Sequence, residues 1–366
     1  MASHPDLSAE QAYIDSAYRS LERSREEATR LRSMVEAAIG AVDVGLFGGQ
    51  VGMGRHHPPG TRGLAILQEV GGQRGHPPVG DAGPVTDAEG PYGTLIDTRV
   101  RVLSWNLWHR FGPWEARRPA IAATLARIDP DVVCLQEVWA DQTVGFAAEL
   151  AEGLGFHHVY GARLDVDGVR FGNAVLSRWP ITASDVLALP STETTEELRT
   201  CVRADIDGPR GALQVFSTHL NWRFDQSDVR QEQVRAICRF IEAARPEGGR
   251  TFPPVLGGDF NADPDSDEIR MLSGRAATPV PKLVFHDAWE VAGQASDSSV
   301  DGATWTNRNP YARLDLEPDR RIDYVFVGWP KAGGAGHVTR CTVECLEPVD
   351  DVVPSDHLGV LAELRY

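Results

Sequence analysis

Pro254-Val-Leu-Gly-Gly-Asp-Phe-Asn-Ala262 is the stretch on which the fold turns. Its apolar start, Val255 and Leu256, reads as a strand that runs into two glycines. It then delivers an acid, Asp259, and an amide, Asn261, two residues apart. In extended chain alternate side chains share a face, so Asp259 and Asn261 point one way while Phe260 packs behind them. Gly257 and Gly258 allow a bend or the close approach of a ligand. A carboxylate and an amide aimed together suit holding a water or a metal ion. Gly, Asp and Asn are also ordinary turn residues, so the nonapeptide alone reads equally well as a turn.

Its surroundings decide between the two. Strand signals lie at 101–105, 132–135, 173–177, 213–218, 255–256, 321–327 and 360–364, and helix signals at 116–127, 143–153, 227–244 and 268–272. Strands interleaved with helices indicate a layered α/β domain that starts near residue 98. Polar groups recur where the strands end. The first strand runs into Asn106, the second into Gln136-Glu137, and the fourth into His219 with Asn221 two further on. Asp323 sits inside an apolar strand, and Ser355-Asp356-His357 precedes the last strand. Together with Asp259 and Asn261 these groups suit one cleft at the strand ends, where α/β folds bind ligands.

Ser104-Trp-Asn-Leu, Leu135-Gln-Glu-Val, Gly172-Asn-Ala-Val-Leu-Ser-Arg, Ser217-Thr-His-Leu, Gly258-Asp-Phe-Asn, Arg321-Ile-Asp-Tyr-Val-Phe and Ser355-Asp-His follow one another across residues 98–366. In this order they resemble the motif set of the endonuclease/exonuclease/phosphatase superfamily. That superfamily holds pancreatic-type deoxyribonucleases, apurinic endonucleases, bacterial sphingomyelinases, deadenylases and inositol-polyphosphate phosphatases. The resemblance implies a four-layer α/β/β/α sandwich with two central mixed β-sheets. It also implies Mg²⁺- or Mn²⁺-dependent hydrolysis of a phosphate ester, with a nucleic acid or a smaller phosphodiester as substrate and a phospholipid or sphingomyelin as the alternative.

By motif match, Glu137 is the expected main metal ligand, with Asn106 beside it and Asp356 assisting the metal or its waters. Hard oxygen ligands suit Mg²⁺, which keeps several waters. Asp259 is expected to orient or deprotonate the attacking water, and Asn261 to hold that water or the phosphate. His357 is expected on the phosphoryl oxygens, with Asp323 setting its tautomer, and His219 on the leaving-group side. Asn173, Asn221 and Trp305 are candidate substrate contacts, and Arg203, Arg223 and Arg230 are further basic groups that a phosphate would suit. Some apurinic endonucleases carry an acid two residues after the first Asn. Here that position is Trp108, which speaks against a second metal site of that type and against abasic-site chemistry.

Ahead of this domain the pattern differs. Ile14, Leu21, Ala28 and Val35 recur every seventh residue, with Ala17, Leu31 and Ala38 between them. That is a heptad seam, so residues 1–40 read as a helical, coiled-coil-like arm suited to self-association or a protein partner. Glu10-Gln11-Ala-Tyr-Ile-Asp-Ser-Ala-Tyr18 resembles the N-terminal arm of HelD-type helicases, which engage RNA polymerase. Residues 41–97, with His56-His57-Pro58-Pro59 and His76-Pro77-Pro78, read as a Gly/Pro-rich linker.

Composition bounds the partners. The 366 residues carry a formal net charge of −16, which argues against a large basic face gripping nucleic acid through counterion release. A bound divalent cation can still invert the field of a small cleft. The five cysteines are scattered without zinc-type spacing, as expected of reduced thiols. The N-terminus lacks the basic and apolar regions of a signal peptide, and no apolar run is long enough to span a bilayer. The expectation is a cytoplasmic protein. No apolar hairpin suited to membrane docking is evident in the sequence.

Overall fold

Twelve strands in the computed structural model form two six-stranded sheets. The structure describes residues 92–191, 197–246, 252–293 and 302–366. The heptad arm and the His-Pro-Pro segment lie outside the described residues. All described residues belong to one unit, Ala82–Tyr366.

The first sheet contains β1 (Arg99–Asn106), β2 (Val132–Ala140), β3 (His157–Val166), β4 (Val169–Ser177), β11 (Val338–Glu344) and β12 (Gly359–Arg365), in the order β11-β12-β1-β2-β4-β3. The second contains β5 (Ile181–Ala188), β6 (Thr200–Gly208), β7 (Gly211–His219), β8 (Val255–Asp259), β9 (Phe285–Asp287) and β10 (Asp323–Gly328), in the order β5-β6-β7-β8-β10-β9. Each is mixed: β1 runs parallel to β2 and β7 parallel to β8, and every other pairing is antiparallel.

Three apolar clusters account for four layers. Val100, Val102, Val132 and Val175 of the first sheet meet Val202, Ile206, Val215, Val255 and Val325 of the second. The outer face of the first sheet, with Leu103, Trp105, Val133 and Leu135, packs on α1 (Trp114–Ile128) and α2 (Phe146–Leu154) through Ile121, Leu125, Phe146 and Leu150. The outer face of the second, with Phe216, Leu256 and Phe326, packs on α3 (Ser227–Ala243) and α4 (Asp267–Leu272) through Val234, Ile237, Ile241 and Leu272. Period-two alternation in β1 and β8 assigns one apolar set to the inner core and the other to the helices, as a sheet covered on both faces requires. This is the expected α/β/β/α sandwich.

Described residues ahead of residue 98 are already hydrogen-bonded to the domain. Tyr92 and Ile96 exchange backbone hydrogen bonds with Gly333, the carbonyl of Tyr92 accepting from Gly333 and the amide of Ile96 donating to it. Strands β3, β5, β6, β9 and β11 carried no clear sequence signal. In β5 six of eight residues are exposed, so its pairing with β6, rather than a buried face, holds it in the sheet.

Candidate active site

Strand register assembles the centre of the site. In the second sheet β8 lies between β7 and β10, and Asp259 is paired in register with His219 on one side and Asp323 on the other. Three functional side chains that are far apart in sequence therefore stand in one row across three strand ends. Asn106 closes the row from the first sheet, its Nδ2 donating to Asp259 Oδ2 at 2.9 Å.

Gly257 makes that closure possible. A Cβ there would lie 2.8 Å from Cys134 Cβ and 3.2 Å from Ser104 Oγ, both on the opposite sheet. The glycine therefore admits the other sheet, not a ligand, and this replaces the reading made from sequence. Phe260 packs fully buried in the helix-side cluster, and Asn261 returns to the Asp259 side with φ +50°. Its backbone N–H donates to Asp259 Oδ1 at 2.9 Å.

Glu137 reaches the site by a different route. The sequence placed it at the end of a short strand, but β2 continues to Ala140. A bulge interrupts the pairing with β4 between Leu135 and Val138, and Glu137 has φ +53°. Leu135 and Val138 both pack in the outer cluster, so the bulge turns both intervening residues inward. Gln136 there bonds Ser217 Oγ of the second sheet at 3.2 Å, and Glu137 Oε1 lies 3.9 Å from His219 Nδ1.

The loop before β12 is tied to the end of β1. Ser355 Oγ donates to the Asn106 carbonyl at 2.7 Å, and Trp105 Nε1 donates to the His357 carbonyl at 3.1 Å. His357 Nδ1 is then 2.9 Å from Asp323 Oδ2, and its Nε2 is 3.7 Å from Asp259 Oδ2. Trp305 stands edge-on to the His357 ring at 4.9 Å, half-buried.

Electrostatics separate two parts of the site. Burial raises the Glu137 carboxyl above its usual range, with Arg199, His357, Asn106 and Arg117 pulling the other way. Burial likewise pushes Asp356 up to about 8, and Glu137 adds to the rise. Glu137 Oε2 is buried without a hydrogen-bond partner. Two facing carboxyls, one with an unpartnered oxygen, beside the Asn106 amide, form an oxygen-donor set that fits Mg²⁺ or Mn²⁺. In the second part, burial and then Asp323 push Asp259 up to about 7, while His357 and the amides of Asn106 and Asn261 oppose the rise. Burial disfavours a charged His357, but Asp323, Asp259 and Asp356 outweigh it and hold that imidazole well above its ordinary value. Burial, Arg199 and His357 hold His219 well below.

Asp259, Asp323 and His357 also bring potential ligand atoms within 4.8 Å of one another. His357 Nδ1 is already engaged with Asp323 at 2.9 Å, and Glu137 with Asn106 and Asp356 offers a second, oxygen-rich donor set beside this trio.

Not every predicted residue faces open ground. Asn173 Nδ2 donates to the Thr200 carbonyl at 2.8 Å and so ties the two sheets together. Asn221 is sealed: its Nδ2 donates to Gln226 Oε1, its Oδ1 accepts from Gln233 Nε2, and it is fully buried. Arg203 pairs with Asp205, and Arg230 with buried Glu268. Arg223 stands over the Trp222 ring.

Two arginines escaped the sequence reading. Arg117 of α1 is 1% exposed and donates to the carbonyls of Leu107, Trp108, His109, Phe111 and Pro354. It clamps the loop after Asn106 to the loop that carries Asp356. Arg199, just before β6, touches His219. An arginine in a helix or beside a strand reads as surface, and only its tertiary partners mark it otherwise.

Exposed apolar side chains lie on the two loops that adjoin the strand ends carrying His219 and Asp323. Trp222 and Phe224 lie on the loop after β7 and Leu314 and Leu316 on the loop before β10, with Leu316 88% exposed. Arg320 joins the two loops, stacking over Phe224 and pairing with Asp263 and Glu317. These residues are scattered in sequence, so no apolar run announced them.

Comparisons with known proteins bear on the family and the fold. The profile of the Endonuclease/Exonuclease/phosphatase family matches residues 103–357. Among curated relatives, a putative neutral sphingomyelinase of Drosophila melanogaster is 26% identical over 296 residues, which cover 74% of this chain and 62% of that protein. Protein angel of the same organism is 28% identical over 177 residues, 46% of this chain and 49% of the relative. A probable RNA exonuclease of Schizosaccharomyces pombe is 26% identical, covering 50% of this chain and 38% of its own. The chain thus spans about 38–62% of the length of these relatives. Among solved structures, an endonuclease/exonuclease/phosphatase from Beutenbergia cavernae superposes with a TM-score of 0.55 at 28% identity, covering 73% of this chain and 71% of that one. D. rerio TDP2 complexed with a single-strand DNA product gives 0.57 at 21% identity, covering 74% and 100%, and shows the fold alone.

Proposed function

This chain belongs to the endonuclease/exonuclease/phosphatase family, and on that premise we propose that it is a divalent-cation-dependent phosphodiesterase. The observation that carries this reading is the pairing of a buried, unpartnered Glu137 oxygen with a separate Asp259–His357–Asp323 relay in the same cleft. Glu137, Asn106 and Asp356 would hold the cation, which supplies charge stabilisation at the phosphoryl oxygens.

The rest falls to the chain's own groups. Asp259, aligned by the Asn106 side chain and the Asn261 amide, accepts a proton from the attacking water. His357, held protonated by Asp323, donates to a phosphoryl oxygen as negative charge builds there. His219 and Asn261 donate on the opposite side of the phosphate. Trp305 forms a wall beside His357.

The test is a screen of hydrolysis over single- and double-stranded DNA, RNA, phospholipid and sugar-phosphate esters with Mg²⁺ or Mn²⁺ and with excess chelator. Activity on at least one diester is expected, abolished by chelator and restored by either ion. Undiminished activity in chelator would overturn the reading.

A second reading has its own support. The exposed Trp222, Phe224, Leu314 and Leu316, on the loops after β7 and before β10, favour a lipid phosphodiester, whose apolar part they would meet. The putative neutral sphingomyelinase among the relatives points the same way. Net charge −16 disfavours long duplex tracts but leaves short nucleic acids open as substrates. The proposed cytoplasmic location, and the arm at residues 1–40 as a tether to a protein partner such as RNA polymerase, rest on sequence alone. Among the described residues no helix is long and apolar enough to cross a membrane.

A further inference from the structure

Thr304 is fully buried, and its polar atoms reach both segments that carry the Asp323–His357 contact. Its Oγ1 accepts from the backbone amides of Ile322 and Asp323, each at 3.1 Å. Its carbonyl accepts from the amide of Leu358, the residue after His357, at 2.8 Å. Asp323 and His357 are 34 residues apart in sequence, yet this one residue holds the backbone beside each of them. Thr304 is itself anchored. Its amide donates to the Arg320 carbonyl at 2.9 Å, and Trp305 pairs with Arg320 as an antiparallel bridge. Further along the same segment, buried Asn309 donates to the Ser355 carbonyl at 2.8 Å.

A hydroxyl suits this place. Its oxygen has two lone pairs and takes both amides at once, on a stem too short to wander. Asp323 opens β10, and at that strand head a side chain takes the amides of Ile322 and Asp323. Without the acceptor two buried donors must find new partners, and the backbone moves to reach them. The short Asp323 side chain follows its own backbone, so its carboxylate moves too. The 2.9 Å contact with His357 Nδ1 has little slack, because a charge-assisted N–H···O bond sits at about 2.7–2.9 Å. We propose that Thr304 is a positioning residue for the Asp323–His357 pair, its hydroxyl and carbonyl together setting the separation at which carboxylate meets imidazole. The catalytic consequence rests on the function proposed above; the geometry of the pair is measurable without it.

The experiment uses the full chain. It reads kcat and KM on a hydrolysed diester, and the proton resonance of His357 Nδ1–H in chelator, assigned by its loss in His357→Gln. The wild type is expected to show that resonance downfield of the amides; its absence overturns the inference. Thr304→Val keeps the shape and removes the acceptor. It is expected to shift the resonance and to lower kcat per folded molecule about tenfold at unchanged KM, short of the about 10²-fold that a displacement of about 1 Å can cost. Thr304→Ser keeps the oxygen and is expected to restore both. A folded Thr304→Val with wild-type kcat or an unshifted resonance overturns the inference. So does a loss of activity that only tracks the folded fraction, or a Thr304→Ser that fails as Thr304→Val does, which would assign the role to methyl packing. If Thr304→Val does not fold, Thr304→Cys, whose sulfur is a weak acceptor, takes its place with the same expectations. Absence of hydrolysis on every ester would count against the proposed function, and the resonance in the variants would still decide the role of Thr304.

Discussion

Asp259 sits fully buried between two groups of opposite demand, the Asp323 carboxylate in register on β10 and the two imidazoles of His219 and His357. Burial and Asp323 raise its affinity for a proton, which is what a base working near neutrality needs. The Asn106 side chain and the Asn261 backbone amide donate to it and keep the ionised form oriented. Asp259→Asn and His357→Ala are each expected to lower turnover at least ~10²-fold, the usual cost of losing a general base or a charge-stabilising donor. Steady-state rates with far-UV circular dichroism to confirm folding would check this, and a near-wild-type rate in either variant would refute the assignment. Asn173→Ala and Asn221→Ala should act differently, through stability more than turnover, because both side chains are committed to protein partners.

At the scale of elements, one irregularity and one missing side chain build the cleft. The bulge between Leu135 and Val138 lets Gln136 and Glu137 share the inner face while the outer packing continues on either side. Gly257 lets β8 approach β1 and β2 closely enough for Asn106 to reach Asp259. Gly257→Ala is expected to destabilise the fold by about 1–3 kcal/mol, as overpacking against the rigid Cβ of Cys134 forces the sheets apart. Chemical denaturation would measure this directly, and an unchanged midpoint would show that the sheets can yield there. Activity should fall further than stability alone explains, since separating the sheets also lengthens the Asn106–Asp259 bond.

At the scale of the whole molecule, acidity and metal binding are coupled. Asp259 and Asp356 hold their protons to about 7 and 8 in the native state, against an ordinary 3.8. His357 also keeps its proton well above its ordinary 6.5. Between pH 6.5 and 8 the unfolded chain has released its carboxyl protons, whereas native Asp259 releases its own only near 7 and native Asp356 only near 8, so stability falls as pH rises toward 8. His219 and His109, held low by burial, are neutral in the native state and half-protonated at pH 6.5 in the unfolded chain, so they oppose the trend weakly at the low end of the window. Each proton retained costs about 1.4 kcal/mol per pH unit. The metal-free protein is therefore expected to melt lower at pH 8 than at pH 6.5. Excess Mg²⁺ should raise the melting temperature more at pH 8, where the carboxylates it meets are ionised. Thermal melts at the two pH values, with and without Mg²⁺, check this; a Mg²⁺ shift larger at pH 6.5 would contradict it.

The sequence by itself determined the layered α/β class, the positions of the strands whose apolar runs are longest, and the identity of Asn106, Glu137, His219, Asp259, Asp323 and His357 as strand-end polar groups. Local pattern suffices for these, because alternation and turn chemistry act over a few residues. Only the tertiary structure decided which of them meet. Register across β7, β8 and β10 aligned His219, Asp259 and Asp323. A bulge turned Glu137 inward, and packing between sheets consumed Asn173. Arg117 and Arg199 carried no local signal, because a long cationic side chain becomes structural only when distant carbonyls or an imidazole close around it. The exposed apolar side chains of residues 222–224 and 314–316 likewise become neighbours only through the fold, where Arg320 stacks over Phe224 and pairs with Glu317. Spacing along the chain sets what each side chain can do; the contacts that choose among those options lie up to some 250 residues apart, as between Asn106 and Ser355.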